Sequence, residues 1–278
     1  MISDRYMNSQ FRYVRMVVGC ALLVALPAMA ELIRVGGTGS ASPLMQDLAA
    51  AYRKLQPNDE VSVLHPPPSS GGGVRMLVSG KLDLALSGRP LKPEEQAQVG
   101  LVFLYAKTPL VIAGNNGTRK AGFSISELAD LYAGRLTRWD DGSLIRLILR
   151  SPTESDTLQL RNLSPLVDEA LQLALMRPGM AYAENDLDAV ELLTKTPGSV
   201  GTTTLGLLKM GNHSLQLYPL AGILPTVKNL AEGKYPLSKS IFIVSGRQPS
   251  ESAKRFTAFL RTTQARDILR QTDYLPQQ

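Results

Sequence analysis

Three polar turns carry the residues best suited to chemistry in this sequence: Gly36–Ser42, Ser69–Gly73 and Arg150–Thr157. Each turn follows an apolar stretch that is typical of a buried strand. The turns supply one full positive charge, from Arg150, and neutral hydroxyl donors from Thr38, Ser40, Ser69, Ser70, Ser155 and Thr157. Helices that begin at such turns add free backbone N–H groups. Converging donors of this kind predict an oxyanion site that needs no metal ion.

Alternating strands and helices position these turns. Leu32–Val35 and Val61–Leu64 are predicted strands, and the helix between them starts near Ser42 and stops before Pro57. A second helix is predicted to open at Ser69–Gly73. This alternation indicates an α/β fold with a parallel sheet, whose ligands bind at the carboxyl ends of the strands.

Further elements follow the same apolar spacing. The predicted strands are Leu82–Ser87, Leu101–Tyr105, Leu110–Ala113, Leu144–Leu149 and Ile241–Val244. A helix is predicted from about Leu158 to Leu175 with a break at Ser164-Pro165, and a last helix from Ser250 to about Arg270.

Composition excludes several functions. The chain has 278 residues, 44% of them hydrophobic and 19% charged, which suits one large or two medium domains. A net charge of +6 without a long basic run, and 6% aromatic residues, argue against nucleic acid. His65 and His213 have no metal-ligand spacing, and the glycines after the first strand form only part of a dinucleotide fingerprint. We therefore expect no enzyme activity and no cofactor.

The N-terminus has the pattern of a secretory signal peptide. Three arginines precede the apolar run Met16–Leu26, and Ala28-x-Ala30 follows. We expect cleavage after Ala30 and a periplasmic protein; an uncleaved anchor is the alternative. Lipid attachment at Cys20 is disfavoured, because the apolar run continues beyond it. Cleavage leaves a chain without cysteine, hence without disulfides or a thiol nucleophile.

Several motifs occur together in the order found in one known family. They are Gly37-Thr38-Gly39-Ser40, Ser69-Ser70-Gly71-Gly72-Gly73, Gly80-x-x-Asp83-x-Ala85-x-Ser87 with Arg89-Pro90-Leu91, Tyr132-x-Gly134 with Trp139, and Tyr235-Pro236-Leu237. Over essentially the whole mature chain, the sequence resembles the periplasmic phosphate-binding proteins of ABC importers, which are PstS-like and have the type II periplasmic-binding-protein fold.

The resemblance implies two lobes, each a mostly parallel sheet flanked by helices. Residues 31–108 plus 239–278 would form lobe 1, and residues 109–238 lobe 2. Two crossover strands, near Pro109–Ala113 and Lys239–Val244, would join the lobes and let them close on the ligand. The implied protein is a monomer that binds inorganic phosphate or a similar oxyanion and docks to an ABC permease in the inner membrane.

The family's binding residues map onto both lobes. The contacts implied for lobe 1 are Thr38, Gly39, Ser40, Ser70 and Gly71, and those for lobe 2 are Arg150, Ser155 and Thr157. Arg89 has two open interpretations. It is either a surface arginine after a strand or an additional anion contact.

Two positions depart from the family pattern. Phosphate-specific members carry an Asp where this chain has Gly88, and a Gly where it has Asp156; the spacing from Arg150 to Ser155 is also one residue longer. Asp156 could face solvent, accept the proton of hydrogen phosphate, or repel dianions. The alternative function on the same fold is an extracytoplasmic sensor or accessory protein that binds another oxyanion or none.

Overall fold

The computed structural model describes residues 31–115 and 120–277, so the predicted leader, residues 1–30, lies outside the described residues. The strands within them are β1 (Glu31–Gly37), β2 (Asp59–Val63), β3 (Leu84–Ser87), β4 (Val102–Gly114), β5 (Arg146–Arg150), β6 (Ala181–Ala183), β7 (Ser199–Thr204), β8 (Gln216–Tyr218), β9 (Ser238–Ser245) and β10 (Leu275–Pro276). The helices are α1 (Ser42–Leu55), α2 (Ser69–Val78), α3 (Pro93–Gln96), α4 (Ile125–Ala133), α5 (Ser155–Arg161), α6 (Pro165–Met176), α7 (Asp186–Lys195), α8 (Leu205–Met210), α9 (Val227–Ala231), α10 (Glu251–Leu260) and α11 (Thr263–Gln271).

The strands form a mixed sheet in the order β2-β1-β3-β9-β4-β7-β5-β6, and β8 and β10 pair with β4. At the two ends of the sheet, β1 is parallel to β2 and β3, and β5 is parallel to β6 and β7. At its centre, β9 is antiparallel to both β3 and β4. Helices flank the sheet, and the predicted α/β class is confirmed.

β4 spans the centre of the sheet as one strand, whereas the sequence predicted two, Leu101–Tyr105 and Leu110–Ala113. Residues up to Pro109 pair with β9, and residues from Leu110 onward pair with β7 and β8. The strand continues because Pro109 stays in register with Ser238, and the Leu110 N–H then donates to the Leu237 carbonyl at 3.2 Å.

The apolar core lies in two groups of clusters. One group combines residues 33–106 with residues 241–274, and includes Leu48 and Phe256. The other group lies within residues 110–237 and includes Trp139, whose ring stacks on Tyr218 at 5.5 Å between centroids. Trp139 thus packs in the core of the second group.

Two predicted helices differ from expectation, the first in where it starts and the second in being divided. α5 begins at Ser155, not Leu158, so Ser155, Asp156 and Thr157 form its first turn. The expected break at Ser164-Pro165 is present, because the Ser164 hydroxyl accepts from the Val167 N–H at 3.2 Å and starts α6.

The predicted C-terminal helix is two helices, α10 and α11. Thr262 interrupts it, since its hydroxyl accepts from the Ala265 N–H at 3.3 Å and starts α11 as an N-cap. After α11, the buried Tyr274 hydroxyl donates to the Ser40 carbonyl at 2.7 Å. The end of the chain therefore contacts the first polar turn.

Substitution of Leu48 on α1 tests the assignment of the first core group. Its side chain is fully buried, whereas Leu55 on the same helix is 54% exposed. We expect Leu48→Ala to lower the free energy of unfolding by about 2–5 kcal/mol, through lost apolar burial and a cavity. Leu55→Ala is the matched control and should change it by less than about 0.5 kcal/mol. Urea unfolding measures both; equal losses would contradict the assigned core.

Candidate anion-binding site

The three polar turns meet at one place in the structure. Thr38 follows β1, Gly88 follows β3, and Ser155 opens α5 after β5. A Cβ atom built on Gly88 would lie 3.0 Å from Ser155 Oγ and 3.2 Å from Thr38 Oγ1. The Gly88 N–H donates to Ser70 Oγ at 2.9 Å, and Thr38 Oγ1 lies 3.0 Å from Ser40 Oγ. The convergence that the sequence predicted for Thr38, Ser40, Ser70 and Ser155 is therefore present.

A buried cluster of charges underlies these hydroxyls. The Lys239 ammonium, which is fully buried, donates to Asp156 Oδ1 and, at 2.9 Å, to Asp186 Oδ1. Asp186 also accepts from the Thr38 hydroxyl at 3.1 Å. Arg150 Nη1 lies 3.9 Å from Asp186 Oδ1. Four side chains from β5, α5, α7 and β9 thus balance two positive charges against two negative ones.

Local structure explains where the two carboxylates stand. Asp186 is the first residue of α7, after the N-cap Asn185, and Asp156 is the second residue of α5. The partial positive charge of a helix N-terminus favours a carboxylate there. Each carboxylate therefore lies at a helix N-terminus and contacts the Lys239 ammonium.

The pKa values of these groups follow from burial and from each other. Burial acts to raise the pKa of Asp186, but Lys239 and Arg150 outweigh it and hold that pKa below its usual range. Burial likewise acts to lower the pKa of Lys239, and Asp156 and Asp186 outweigh it, so this pKa is raised. For Glu154, which lies 3.4 Å from Arg150 Nη2, burial raises the pKa. Lys239 and Asp186 are thus charged at neutral pH.

Several buried donors at the site have no acceptor. Arg150 Nε, Arg150 Nη1 and Ser155 Oγ make no hydrogen bond to any of the described residues. Arg150 is 4% exposed and Ser155 is 5% exposed. Leaving a buried donor unpaired costs about 1–3 kcal/mol, more for a charged group. The arrangement can therefore bind a small oxyanion that accepts from a guanidinium and a hydroxyl.

Two other predicted contact residues, Thr157 and Arg89, form hydrogen bonds with other groups of the protein. The Thr157 hydroxyl donates to the Ser151 carbonyl at 2.8 Å and so holds the loop before α5. Arg89 donates through both terminal nitrogens to the Glu95 carboxylate, each at 2.7 Å, and lies beside the site. At Gly39, a Cβ atom would lie 3.3 Å from the Cβ of Asp186, so a glycine permits that close approach.

The structure corrects one interpretation of Asp156. Its side chain does not face solvent: it is 1% exposed and paired with Lys239. Sequence reasoning also missed Asp186 and Lys239 as site residues. Lys239 was predicted only as the start of a crossover strand. Their only local signals were an Asp in the first turn of a helix and a lone Lys before an apolar strand.

Gly88 is explained by the same lysine. A Cβ atom at position 88 would lie 2.8 Å from Lys239 Cε, in addition to its contacts with Ser155 and Thr38. This distance is shorter than two carbon atoms approach in proteins, so a side chain at position 88 would require the Lys239 side chain to shift. Glycine at position 88 thereby permits the close approach of Lys239.

Metal and membrane sites were sought in the same part of the chain. Among residues 31–115 and 120–277, no three His, Cys, Asp or Glu side chains are grouped so as to hold a metal ion. The helices described there are too short or too polar to cross a membrane.

The fold is that of the type II periplasmic binding proteins. A family model described as the PBP superfamily domain matches residues 25–263, and the chain belongs to this superfamily. The phosphate-binding protein PstS of Borreliella burgdorferi is 20% identical over 253 residues, which are 88% of this chain and 90% of that protein. The resemblance indicated by the sequence motifs is confirmed.

Two solved structures share this fold. An ABC-type phosphate transport receptor from Vibrio cholerae aligns with a TM-score of 0.63 at 20% identity, over 89% of this chain and 100% of that one. The periplasmic molybdate-binding protein of Azotobacter vinelandii aligns with a TM-score of 0.62 at 16% identity, over 88% and 100%.

Lys239→Met tests the charge cluster. It keeps the apolar stem and removes the ammonium, so Asp156 and Asp186 lose their shared partner. We expect the free energy of unfolding at pH 7 to fall by about 3–5 kcal/mol. In the wild type, the pKa of Asp186 is lower in the folded state than in the unfolded state, so the Asp186 carboxylate stabilises the fold at pH values above its unfolded-state pKa. This stabilisation is lost as the pH falls through the folded-state pKa. The variant should do the opposite and recover stability as its carboxylates bind protons.

Urea unfolding at pH 7 and pH 5 measures this difference. Lys81→Met, at an exposed lysine, is the control and should shift the free energy by less than about 0.5 kcal/mol at either pH. A Lys239→Met deficit that is the same at both pH values would show that the carboxylates are not what the ammonium stabilises.

Proposed function

We propose that the protein is a periplasmic solute-binding protein that captures a small oxyanion, with phosphate favoured, for an ABC importer. The observation that carries the proposal is the set of buried donors without acceptors, Arg150 Nε, Arg150 Nη1 and Ser155 Oγ. Phosphate-binding relatives with the same fold support the choice of ligand.

The energy of binding would come from few, well-buried contacts. A hydrogen bond that involves a charged group contributes about 1.5–3 kcal/mol, and the guanidinium of Arg150 offers two nitrogens, Nε and Nη1, that have no acceptor among the described residues. Ser155 adds a neutral donor. An oxyanion would thereby satisfy polar atoms that are otherwise buried without partners.

The charge cluster keeps this site from repelling an anion. Asp156 and Asp186 are each paired with Lys239, and Arg150 lies 3.4 Å from the Glu154 carboxylate and 3.9 Å from that of Asp186, so neither contact with Arg150 is a short ion pair. Asp156 Oδ2 lies 3.5 Å from Thr202 Oγ1, outside a good hydrogen bond. This oxygen would accept the proton of hydrogen phosphate in place of the carboxylate that is missing at position 88.

Closure of two lobes would bring the donors together. We assign residues 31–108 plus 239–278 to lobe 1 and residues 109–238 to lobe 2. The two groups of core clusters support this division. Thr38, Ser40 and Ser70 would then belong to lobe 1, and Arg150 and Ser155 to lobe 2. The closed monomer would dock to an inner-membrane permease, after export directed by residues 1–30 and cleavage after Ala30.

A role without transport is the second candidate. The observation in its favour is that Asp156, Asp186 and Glu154 already provide enough negative charge to balance Arg150 and Lys239 without a ligand. Such a protein would act as a sensor or accessory protein on the same fold and bind another oxyanion or none.

Calorimetry on residues 31–278, stripped of ligand, tests the proposal. We expect phosphate to bind more tightly than sulfate, molybdate or tungstate. Arg150→Ala should weaken phosphate binding at least about 100-fold, and Ser155→Ala about tenfold, because each removes buried donors. Arg146→Ala is the matched control, since Arg146 is exposed at the other end of β5.

Three outcomes would contradict parts of the proposal. No heat with any of the anions would reject the receptor. Tighter binding of sulfate would reject phosphate alone. Unchanged binding by a folded Arg150→Ala or Ser155→Ala variant would show that the site lies elsewhere.

A further inference from the structure

A cleft of about 700 Å³ opens directly outside the anion site. Its inner end is formed by Ser70 and Ser155, which are 6% and 5% exposed, and its outer wall by the exposed Arg75 and Lys92. An inorganic phosphate has five non-hydrogen atoms and occupies on the order of 100 Å³, a few times the volume of a water molecule. Cavities of about 300–1,000 Å³ hold organic ligands. The cleft is therefore several times larger than the ion.

We propose that the ligand is a phosphorylated small carboxylic acid. Its phosphate group lies at the inner end, against Ser70 and Ser155, and its carboxylate lies at the outer wall, beside Arg75 and Lys92. This inference rests on the oxyanion receptor proposed above and specifies its substrate class.

The inner end has the donors that a phosphate group requires. Ser155 lines the cleft, and its buried Oγ has no hydrogen-bond partner among the described residues. Ser70 lies in the first turn of α2, a helix of ten residues, where backbone N–H groups are free of helical partners. A residue with an unpaired buried hydroxyl and the first turn of a helix therefore line the same cleft.

The outer wall carries cationic side chains that form no ion pair with the described residues. Arg89 and Arg161 also line the cleft, but Glu95 pairs with the first and Asp168, at 2.5 Å, with the second. Arg75 and Lys92 have no ion-pair partner in the described part of the chain. Arg75 Nη1 lies 3.3 Å from the Cβ position of Gly71, and Arg89 Nη2 lies 3.7 Å from it. Glu95 pairs with Arg89, so the Arg75 guanidinium beside it remains able to attract a negative group.

One acidic group of the cleft is offset by its surroundings. Glu154 lines the inner end, but Arg150 Nη2 lies 3.4 Å from its carboxylate. The lining also includes apolar side chains, those of Leu91, Pro152 and Leu158. A short carbon skeleton would contact this wall while its two acidic ends meet the donors and the free cations.

Calorimetry with three probes tests the inference: phosphoglycolate, glycerol 3-phosphate and inorganic phosphate. We expect phosphoglycolate to bind at least about tenfold more tightly than inorganic phosphate. Glycerol 3-phosphate, which lacks the carboxylate, should fall between them. The double variant Arg75→Ala/Lys92→Ala should weaken phosphoglycolate at least about fivefold and change inorganic phosphate by less than about twofold. Arg53→Ala, an exposed arginine on α1, is the control and should change neither.

The outcomes separate this inference from the proposed function. Tight binding of inorganic phosphate with weaker binding of both esters would overturn the inference and leave the receptor intact. A preference for phosphoglycolate that survives the double variant would overturn the assignment of the outer wall. Failure of all three probes would reject the receptor itself.

Discussion

The site depends on one buried ammonium, that of Lys239, which lies between the carboxylates of Asp156 and Asp186. Two carboxylates so deeply buried could not both remain ionised without a cation between them, because removing a charge from water costs several kcal/mol. Asp186 in turn accepts from Thr38, at the end of β1. One lysine on β9 thereby fixes the relative positions of β1, α5 and α7. The remaining features of the site, including the free donors of Arg150, follow from that arrangement.

Gly88, Asp156 and Lys239 depend on one another in the structure. Lys239 occupies the space that a side chain at position 88 would need, and neutralises the carboxylate at position 156. Arg150 Nη1 stays 3.9 Å from Asp186, beyond hydrogen-bonding distance, and so keeps its capacity for a ligand.

The sequence predicted the parts of the site that have local signals. Glycine, serine and threonine after apolar strands indicated Thr38, Ser40, Ser70 and Ser155, and the α/β pattern placed them at strand ends. Pairing across distant segments had no such signal: Lys239 is 53 residues from Asp186 and 83 from Asp156. Asp156 was for this reason compatible with a solvated loop. The same limit applies to the fold, because β4 becomes one strand only through its pairing with β9, far along the chain.

The contact between Tyr274 and Ser40 has a consequence for the order of folding. It joins residues 234 positions apart, one of the longest separations in the structure, and the Tyr274 ring is fully buried. Contacts between residues this far apart in the sequence form late, because closing the intervening loop costs entropy that structure already in place must offset. The first polar turn therefore acquires its final support only when nearly the whole polypeptide is available. An incomplete chain would contain most residues of the candidate site and still lack a rigid site.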